Sequence, residues 1–348
     1  MLITADSHDR ASLDALVQRT RVVCTTVGPY ALHGSELVAA CCAHGTDYCD
    51  LAGEVPWMRK MIDQHADAAE KSGARIVHCC GFDSIPSDMG VWFLQQAANE
   101  KFGRPLERVR LRVKAAKGGL SGGTYASMLN IVEESRRDAE TAKVLKNPFA
   151  LCPPDHRKGP RQPNVSGPEF DAAIGSWMAP FIMAAINTRV VHRANALQDF
   201  AYGQGFRYDE AVLTGKGFGG RAKATMVSLG MGAFALGSAM RPTRAVLKKM
   251  VLPKPGEGPS PEQRQAGFFN IIVEGRSSEG ETLTARVKGD RDPGYGSTSR
   301  MIGEAAACLA CDIGDDVAGG FLTPATALND KLLERLAMHA GVTFELQS

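Results

Sequence analysis

The chain has 348 residues, of which 40 are basic, 38 are acidic and 44% are hydrophobic. This length predicts one or two globular domains, because a single hydrophobic core rarely grows beyond about 250 residues. The balanced net charge of +2 lacks the basic excess that is typical of nucleic-acid-binding proteins. The first residues carry neither a basic region nor a long apolar segment, so no signal peptide is predicted and a cytoplasmic location is expected.

The nine cysteines are an odd number, and two adjacent pairs, Cys41-Cys42 and Cys79-Cys80, lie inside apolar runs. Reduced, buried cysteines of a cytoplasmic protein fit this pattern. Cys308 and Cys311 form a CxxC motif, but they lie in a helical pattern with no second pair at metal-ligand spacing. We therefore predict two core residues on one helix face there, and no metal site.

Short apolar strands alternate with helices in the first third of the chain. Asp9 is placed to cap the first helix, and Gly45 and Gly73 are placed to end two later ones. Strands are predicted at 22–27, 48–51 and 76–80, and helices at 35–44, 57–71 and 87–101. Strands without polar alternation, separated by helices, predict an α/β fold with a doubly wound, Rossmann-type parallel sheet. We assign residues 1–108 to this domain.

Two predicted strands of this sheet end in loops that contain glycine and proline. In open parallel sheets, ligands bind outside the carboxyl ends of the strands. One loop holds Thr26, Val27, Gly28, Pro29 and Tyr30, and the other holds Cys80, Gly81, Phe82, Asp83 and Ser84. Because both are predicted to lie on neighbouring strand ends, we expect one ligand site there, although a Gly-Pro pair can also simply end a strand.

A dinucleotide-binding fold normally begins with a strand, a GxGxxG loop and a helix that holds the pyrophosphate. No such unit opens this chain, in which residues 1–3 resemble the middle of a strand. The GxGxxG pattern at 215–220 follows residues 208–214, which are too polar for a buried parallel strand. We therefore expect a flexible loop between domains at 215–220 and not a phosphate site.

Residues 109–348 are predicted to form an α+β substrate domain with an antiparallel sheet. A strand with one solvated face is expected at 109–114, a long helix at 124–144, an irregular excursion at 147–168 and a hairpin from strands 268–273 and 282–288. The glycines before the long helix, with Gly122, Gly123 and Thr124 at its start, offer an anion pocket or simply a turn. A helix at 325–340 and a strand at 342–346 are expected to return over the first domain.

One stretch, at 225–240, has no charged residue and is rich in Gly, Ala and Met; four basic residues follow it before residue 250. It is shorter than the roughly 20 apolar residues of a membrane-spanning helix. Three interpretations stay open: a buried helix, a wall of an acyl-chain channel, or a monotopic membrane anchor with a basic flank.

Several long motifs resemble the saccharopine dehydrogenase-like oxidoreductases, and most closely their bacterial trans-acting enoyl reductase branch. They are TTVGPYALHG, GTDYCDLAGE and RIVHCCGFDSIPSD in the first domain, and GGTYASML, GDRDPGYGSTSRM and GGFLTPATAL later. The resemblance spans essentially the whole chain. It implies a further upstream βαβ region of roughly 60 residues with the phosphate loop, so the Rossmann-type domain of this chain is expected to be incomplete.

The resemblance implies an NADP- or NAD-dependent oxidoreductase that reduces an enoyl C=C bond of a lipid- or polyketide-type substrate. The loop residues 26–30 and 80–82 would then bind the cofactor, Asp83 or Ser84 would donate or orient the proton, and 122–124 would contact the substrate. His78 is expected to be a core residue with satisfied hydrogen bonds. A saccharopine-type amino-acid dehydrogenase and a non-catalytic lipid-associated protein remain alternatives. Expected partners are a lipid-linked acyl substrate, a membrane surface through 225–249 and a second copy of the chain. No nucleic-acid partner is expected.

Overall fold

The computed structural model describes residues 2–118, 122–239 and 258–347, without the side chains of 122–126, 128 and 239. The strands of these parts are β1 Val22–Thr25, β2 Asp47–Asp50, β3 Arg75–Val77, β4 Arg108–Lys117, β5 Glu169–Asp171, β6 Ser176–Pro180, β7 Arg207–Gly215, β8 Phe268–Arg276, β9 Thr282–Gly289, β10 Gly320–Leu322 and β11 Val342–Leu346. The helices are α1 Arg10–Val17, α2 Tyr30–His33, α3 Ser35–His44, α4 Val55–Ser72, α5 Ile85–Phe102, α6 Gly122–Arg137, α7 Ala139–Lys146, α8 Ala184–Leu197, α9 Gly217–Ala239, α10 Pro261–Gln265, α11 Thr298–Cys311 and α12 Pro324–Arg335. Short helical turns lie at Pro154–His156, Pro293–Ser297 and Leu336–Ala340.

The first sheet is parallel and has the order β1-β2-β3-β10. The predicted capping residues shape its helices: Asp9 accepts a hydrogen bond from the Ala11 amide, and Gly45 and Gly73 end α3 and α4 with left-handed backbones. The α/β prediction is confirmed. Residues 2–4 are not in a strand, contrary to expectation, and Leu2 is fully exposed.

The second sheet is mixed and has the order β11-β9-β8-β4-β7-β6-β5. The predicted hairpin is present as β8 and β9, which pair antiparallel, whereas β4 and β7 pair parallel. The terminal strand β11 pairs with β9 in this sheet and not with the first sheet. It is β10, a strand of three residues, that returns to the first sheet and pairs with β3. The boundary at residue 108 stays a prediction.

The sequence predicts that residues 208–214 are too polar for a buried parallel strand, but they lie in β7, which pairs parallel with β4. The polar residues of β7 are tolerated inside the protein because each has a partner: Asp209 accepts a hydrogen bond from Arg112, and Glu210 accepts one from Tyr208. Arg112 itself is buried between Asp209 and Asp171, so the face of β4 that was expected to be solvated is covered there. The polar residues of these strands thus stabilise one another within the sheet.

The long helix expected at 124–144 is two helices, α6 and α7. Asp138 interrupts it, because its carboxylate accepts hydrogen bonds from the amides of Glu140 and Thr141 and so caps α7. The stretch at 147–168 is mostly irregular, as expected. In the described parts of the chain, no helix combines the length and apolar character needed to traverse a bilayer.

Candidate functional site

Three loops meet at the carboxyl edge of the first sheet: the β1-end loop (residues 26–30), the β2-end loop (51–54) and the β3-end loop (78–84). The β1-end and β3-end loops do not follow neighbouring strands, because β2 lies between β1 and β3. The prediction of adjacency is therefore wrong. The β2-end loop forms the centre of the candidate site.

Asp50, at the end of β2, holds the β2-end and β3-end loops together. Its fully buried carboxylate accepts hydrogen bonds from the Tyr48 hydroxyl (3.0 Å), the His78 ring (2.7 Å), and the amides of Ala52 (2.9 Å) and Cys79 (3.2 Å). Because an ionised carboxylate only accepts, Nδ1 of His78 carries the proton in this pair. Nε2 of His78 is buried without a hydrogen-bond partner, so the expectation of a fully satisfied core histidine holds for one ring nitrogen only.

Tyr30 braces the β1-end loop against the β2-end loop. Its hydroxyl donates a hydrogen bond to the Thr25 carbonyl (3.2 Å) and accepts one from the Leu51 amide (3.1 Å). The ring stacks on Trp57 with centroids 5.5 Å apart and is almost fully buried. Burial raises the pKa of Tyr30 above its ordinary value. The Tyr30 hydroxyl is therefore hydrogen-bonded to the ends of both β1 and β2.

Glu54 fixes the start of α2, the short helix after the β1-end loop. Its buried carboxylate accepts hydrogen bonds from the amides of Tyr30 (2.8 Å) and Ala31 (2.9 Å), the unpaired amides of a helix N-terminus. The hydroxyl of Ser127, on α6, also donates to Glu54 (2.8 Å). This bond brings the α6 region to the same edge of the sheet as the three loops.

The β3-end loop is anchored to the segment that carries the sequence GDRDPGYGSTSRM. The Phe82 amide donates to the Thr298 hydroxyl (3.1 Å), which in turn donates to the Pro293 carbonyl (2.7 Å). A Cβ atom at Gly81 would lie 2.7 Å from the Leu51 side chain and 3.0 Å from that of Thr298. Glycine at this position therefore permits the close approach of the three segments.

The predicted loop residues differ in how accessible they are. Thr26, Val27 and Gly28 are exposed, and Pro29 is half-buried. In the β3-end loop, Phe82 and Asp83 are half-buried and the other predicted residues, Cys80, Gly81 and Ser84, are buried. In the β1-end loop the backbone around Gly28 is accessible to a ligand, and in the β3-end loop the side chains of Phe82 and Asp83 are partly accessible.

Asp83 is chemically distinct from the other carboxylates of the site. Among the described residues, no hydrogen bond or ion pair holds its side chain, whereas Asp50 and Glu54 are held by several donors. Burial alone raises the pKa of Asp83 to about 6. A carboxyl group with a pKa near neutrality that is partly exposed at a strand end is suited to donate or accept a proton.

Ser84 belongs to a buried polar chain that the sequence does not predict. Its hydroxyl donates to the side-chain oxygen of Asn187 (3.1 Å), the Asn187 amide donates to Glu210 (2.9 Å), and the Tyr208 hydroxyl donates to Glu210 (2.6 Å). Asn187 lies on α8 and Glu210 on β7, more than a hundred residues beyond Ser84. Ser84 is fully buried, so it is placed to hold the β3-end loop and not to contact a ligand.

Burial raises the pKa of Glu210 to about 7, from 4.5. The folded protein then binds a proton that the unfolded chain has released, so this group lowers the free energy of unfolding as pH rises from about 4.5 to about 7. Above that range, ionised Glu210 lowers the free energy of unfolding by its full amount, on the order of 3 kcal/mol. We expect Glu210→Gln to match the wild type in urea unfolding near pH 4.5 and to equal or exceed its stability near pH 8. A parallel pH dependence of the two proteins would contradict this expectation.

The chain is similar to several known proteins, although no family model matches it. It is 42% identical over 358 residues to a Mycobacterium tuberculosis protein provisionally named trans-acting enoyl reductase, a match that covers 99% of the chain and 84% of that protein. It is 37% identical over 354 residues to the trans-acting enoyl reductase of Mycobacterium ulcerans, with 96% and 82% covered. The chain belongs to the trans-acting enoyl reductase family. It is an oxidoreductase, and the resemblance drawn from the sequence motifs is confirmed.

Two solved structures are also similar. The apo saccharopine dehydrogenase (L-Glu forming) of Saccharomyces cerevisiae matches with a TM-score of 0.49 and 11% identity, over 99% of this chain and 89% of that one. The amine dehydrogenase of Mycobacterium smegmatis matches with a TM-score of 0.37 and 13% identity, over 91% and 78%.

The two glycine-rich segments of this family member lie on different parts of the fold. Residues 215–220 connect β7 to α9 on the second sheet, where a Cβ atom at Gly220 would overlap the Gly215 backbone. Gly122, Gly123 and Thr124 begin α6, and their side-chain environment lies outside the described residues, as do residues 119–121. A substrate contact at 122–124 therefore stays a prediction.

The described residues fit the nicotinamide end of a dinucleotide better than its phosphates. The backbone at Gly28 is exposed, and Phe82 and Asp83 are half-buried in the β3-end loop. Within the described ranges, the carboxyl edge of the first sheet carries no GxGxxG loop for a pyrophosphate. No group of three or more metal-ligating side chains occurs in the described part of the chain.

Proposed function

We propose that the chain is an NAD(P)H-dependent reductase of the C=C bond of a lipid-linked enoyl thioester, with Asp83 as the proton donor. The names of the curated relatives support enoyl reduction. The observation that carries the assignment of Asp83 is its side chain, which is free of hydrogen bonds among the described residues, is partly exposed at the end of β3, and has a pKa raised to about 6.

The proposed reaction adds one hydride and one proton across the double bond. When bound, NAD(P)H supplies the hydride to the β-carbon of the enoyl group. The Asp83 carboxyl group gives its proton to the α-carbon and takes up another from solvent after each turnover. The half-buried Phe82, which precedes Asp83, would shield the reacting atoms from water and so strengthen the electrostatic interactions of the site. The thioester is unchanged, and the product is the saturated acyl chain.

The Tyr30 hydroxyl is another proton-bearing group at this edge, but it is engaged with Thr25 and Leu51. We therefore expect Tyr30→Phe to lower the free energy of unfolding by about 1 kcal/mol, because the half-buried Leu51 amide loses its acceptor. The kcat of the folded enzyme should change less than about tenfold, well below the loss expected for removal of a proton donor. Chemical unfolding and kcat measured on the same preparation check this; a loss of kcat as large as that of Asp83→Asn would point to Tyr30 as the donor.

The function is tested by incubating the protein with trans-2-octenoyl N-acetylcysteamine thioester and either NADH or NADPH. We expect loss of the reduced-nicotinamide absorbance and formation of the octanoyl thioester in equal amounts. Running both cofactors separately also assigns the preferred one. If neither cofactor is oxidised with this or longer enoyl thioesters while the protein is folded, the proposed function is wrong.

A further inference from the structure

Helix α9 buries small residues and exposes several large apolar ones, which is the reverse of an ordinary surface helix. The helix packs on β6 and β7, yet its buried described residues are small: Gly220, Ala224 and Ser238. Several of its large apolar residues point outward, and Phe218 is 87% exposed, whereas Met231 and Phe234 are half-buried. A helix of a soluble domain normally buries its large apolar residues and exposes polar ones.

Four of the large outward residues form one stripe along the helix, which we call the α9 face. It is defined by Phe218, Met226, Leu229 and Leu236, with exposed alanines at 222 and 233 between them. The successive spacings of three and four residues place all of them on one side of the helix. The first half of this face is an open surface whose described lining residues all lie on α9. Contiguous apolar surface of this kind marks an interaction site.

Aromatic and basic side chains surround the N-terminal end of the α9 face. The Arg221 guanidinium lies over the Trp177 ring at 5.3 Å, and Trp177 packs edge-to-face against Phe170, which is 52% exposed. Lys216 and Lys223 are exposed beside them, and residues 211–239 contain no acidic side chain. A half-buried Trp with exposed Phe, Arg and Lys next to an apolar stripe is the composition of a helix that lies in a membrane interface.

We propose that the α9 face docks onto an anionic phospholipid surface. The apolar stripe would enter the boundary between headgroups and acyl chains, and Lys216, Arg221 and Lys223 would lie against the lipid phosphates. An anionic bilayer accounts both for the apolar stripe and for the basic residues beside it, which no acidic side chain of residues 211–239 balances. This inference is independent of the proposed reaction, since none of these residues belongs to the three strand-end loops. The basic residues 241, 244, 248 and 249 follow in the sequence but lie outside the described residues.

The full chain should co-sediment with vesicles of phosphatidylcholine mixed with phosphatidylglycerol, and much less with vesicles of phosphatidylcholine alone. Leu229→Asp should weaken binding to the mixed vesicles about tenfold or more, because one exposed leucine would no longer be buried in lipid. Raising the salt concentration should also weaken binding, because salt screens the basic residues. Met338→Asp is the matched control, since Met338 is 67% exposed on a different element.

Leu229 is 69% exposed, so its substitution should leave the melting temperature unchanged. The proposal is overturned if mixed vesicles do not bind the wild type, or if Leu229→Asp and Met338→Asp bind equally well. A third outcome also overturns it: the protein does not bind lipid, and light scattering shows a dimer that Leu229→Asp dissociates. The α9 face would then join two copies of the chain.

Discussion

Asp83→Asn should lower kcat/KM for enoyl reduction by about 10²–10⁴, the contribution typical of a general acid. Asparagine has nearly the same shape as aspartate but cannot give up a proton in this range of pH. Because burial raises the pKa of Asp83 to about 6, the wild-type kcat/KM should fall about tenfold per pH unit above that value. In the variant this alkaline decrease should be absent. Initial rates across the pH range check both expectations.

The stability of the same variant separates a catalytic from a structural effect. The pKa of Asp83 is raised in the folded protein, so its ionised form destabilises the fold above about pH 6. Asp83→Asn should therefore be at least as stable as the wild type near pH 8, although it is much less active. A variant that is both inactive and less stable at that pH would show that Asp83 supports the fold, and the assignment as proton donor would lose its basis.

Asp50→Ala should have the largest effect on stability among the site residues. Removal of the carboxylate leaves four buried donors without an acceptor: the Tyr48 hydroxyl, the His78 ring and two loop amides. Removing one partner from a buried charged network costs about 3–5 kcal/mol. Urea unfolding should show this loss.

Asp14→Ala is the control for this effect. Asp14 also pairs with a histidine, His44, and with Arg10, but it lies on the surface, where ion pairs contribute little. We expect its midpoint of unfolding to stay close to that of the wild type. Similar midpoints for Asp50→Ala and the wild type would show that the contacts of Asp50 do not hold the loops together.

The sequence predicts those parts of the site that depend on local chemistry. Apolar runs ended by glycine and proline indicate the positions of the β1-end and β3-end loops, and Asp83 is a candidate because of its place in one of them. Glycines at 45 and 73 predict where α3 and α4 end, since the left-handed backbone there favours glycine.

The remaining features depend on contacts between distant residues. Asn187 and Glu210 reach Ser84 from α8 and β7, and a polar residue gives no local signal that it will be buried with partners. Strand β7 is not predicted for the same reason, because its aspartate and glutamate suggest a solvated segment. Strand β10 has three residues, too few for a periodic pattern, and it joins the first sheet only through its pairing with β3.

The exposed side of α9 is also beyond prediction from the sequence. A stretch of Gly, Ala and Met suits a buried helix, a channel wall and a membrane anchor equally. The distinction needs the neighbours of the helix: β6 and β7 contact its small residues, so that Met226 and Leu229 face outward. The composition of the helix therefore does not distinguish the three interpretations. They are distinguished by which side of the helix the rest of the protein covers.

Hydride transfer by this oxidoreductase to an enoyl carbon is tested most directly by isotope transfer. The protein is incubated with an enoyl thioester and NADH or NADPH that carries deuterium at C4 of the nicotinamide, on one face at a time. The saturated product should contain one deuterium at the β-carbon from one of the two faces, and a solvent-derived hydrogen at the α-carbon. A product whose β-carbon hydrogen comes from solvent with both labelled faces, or no saturated product from a folded protein, would contradict the proposed hydride transfer.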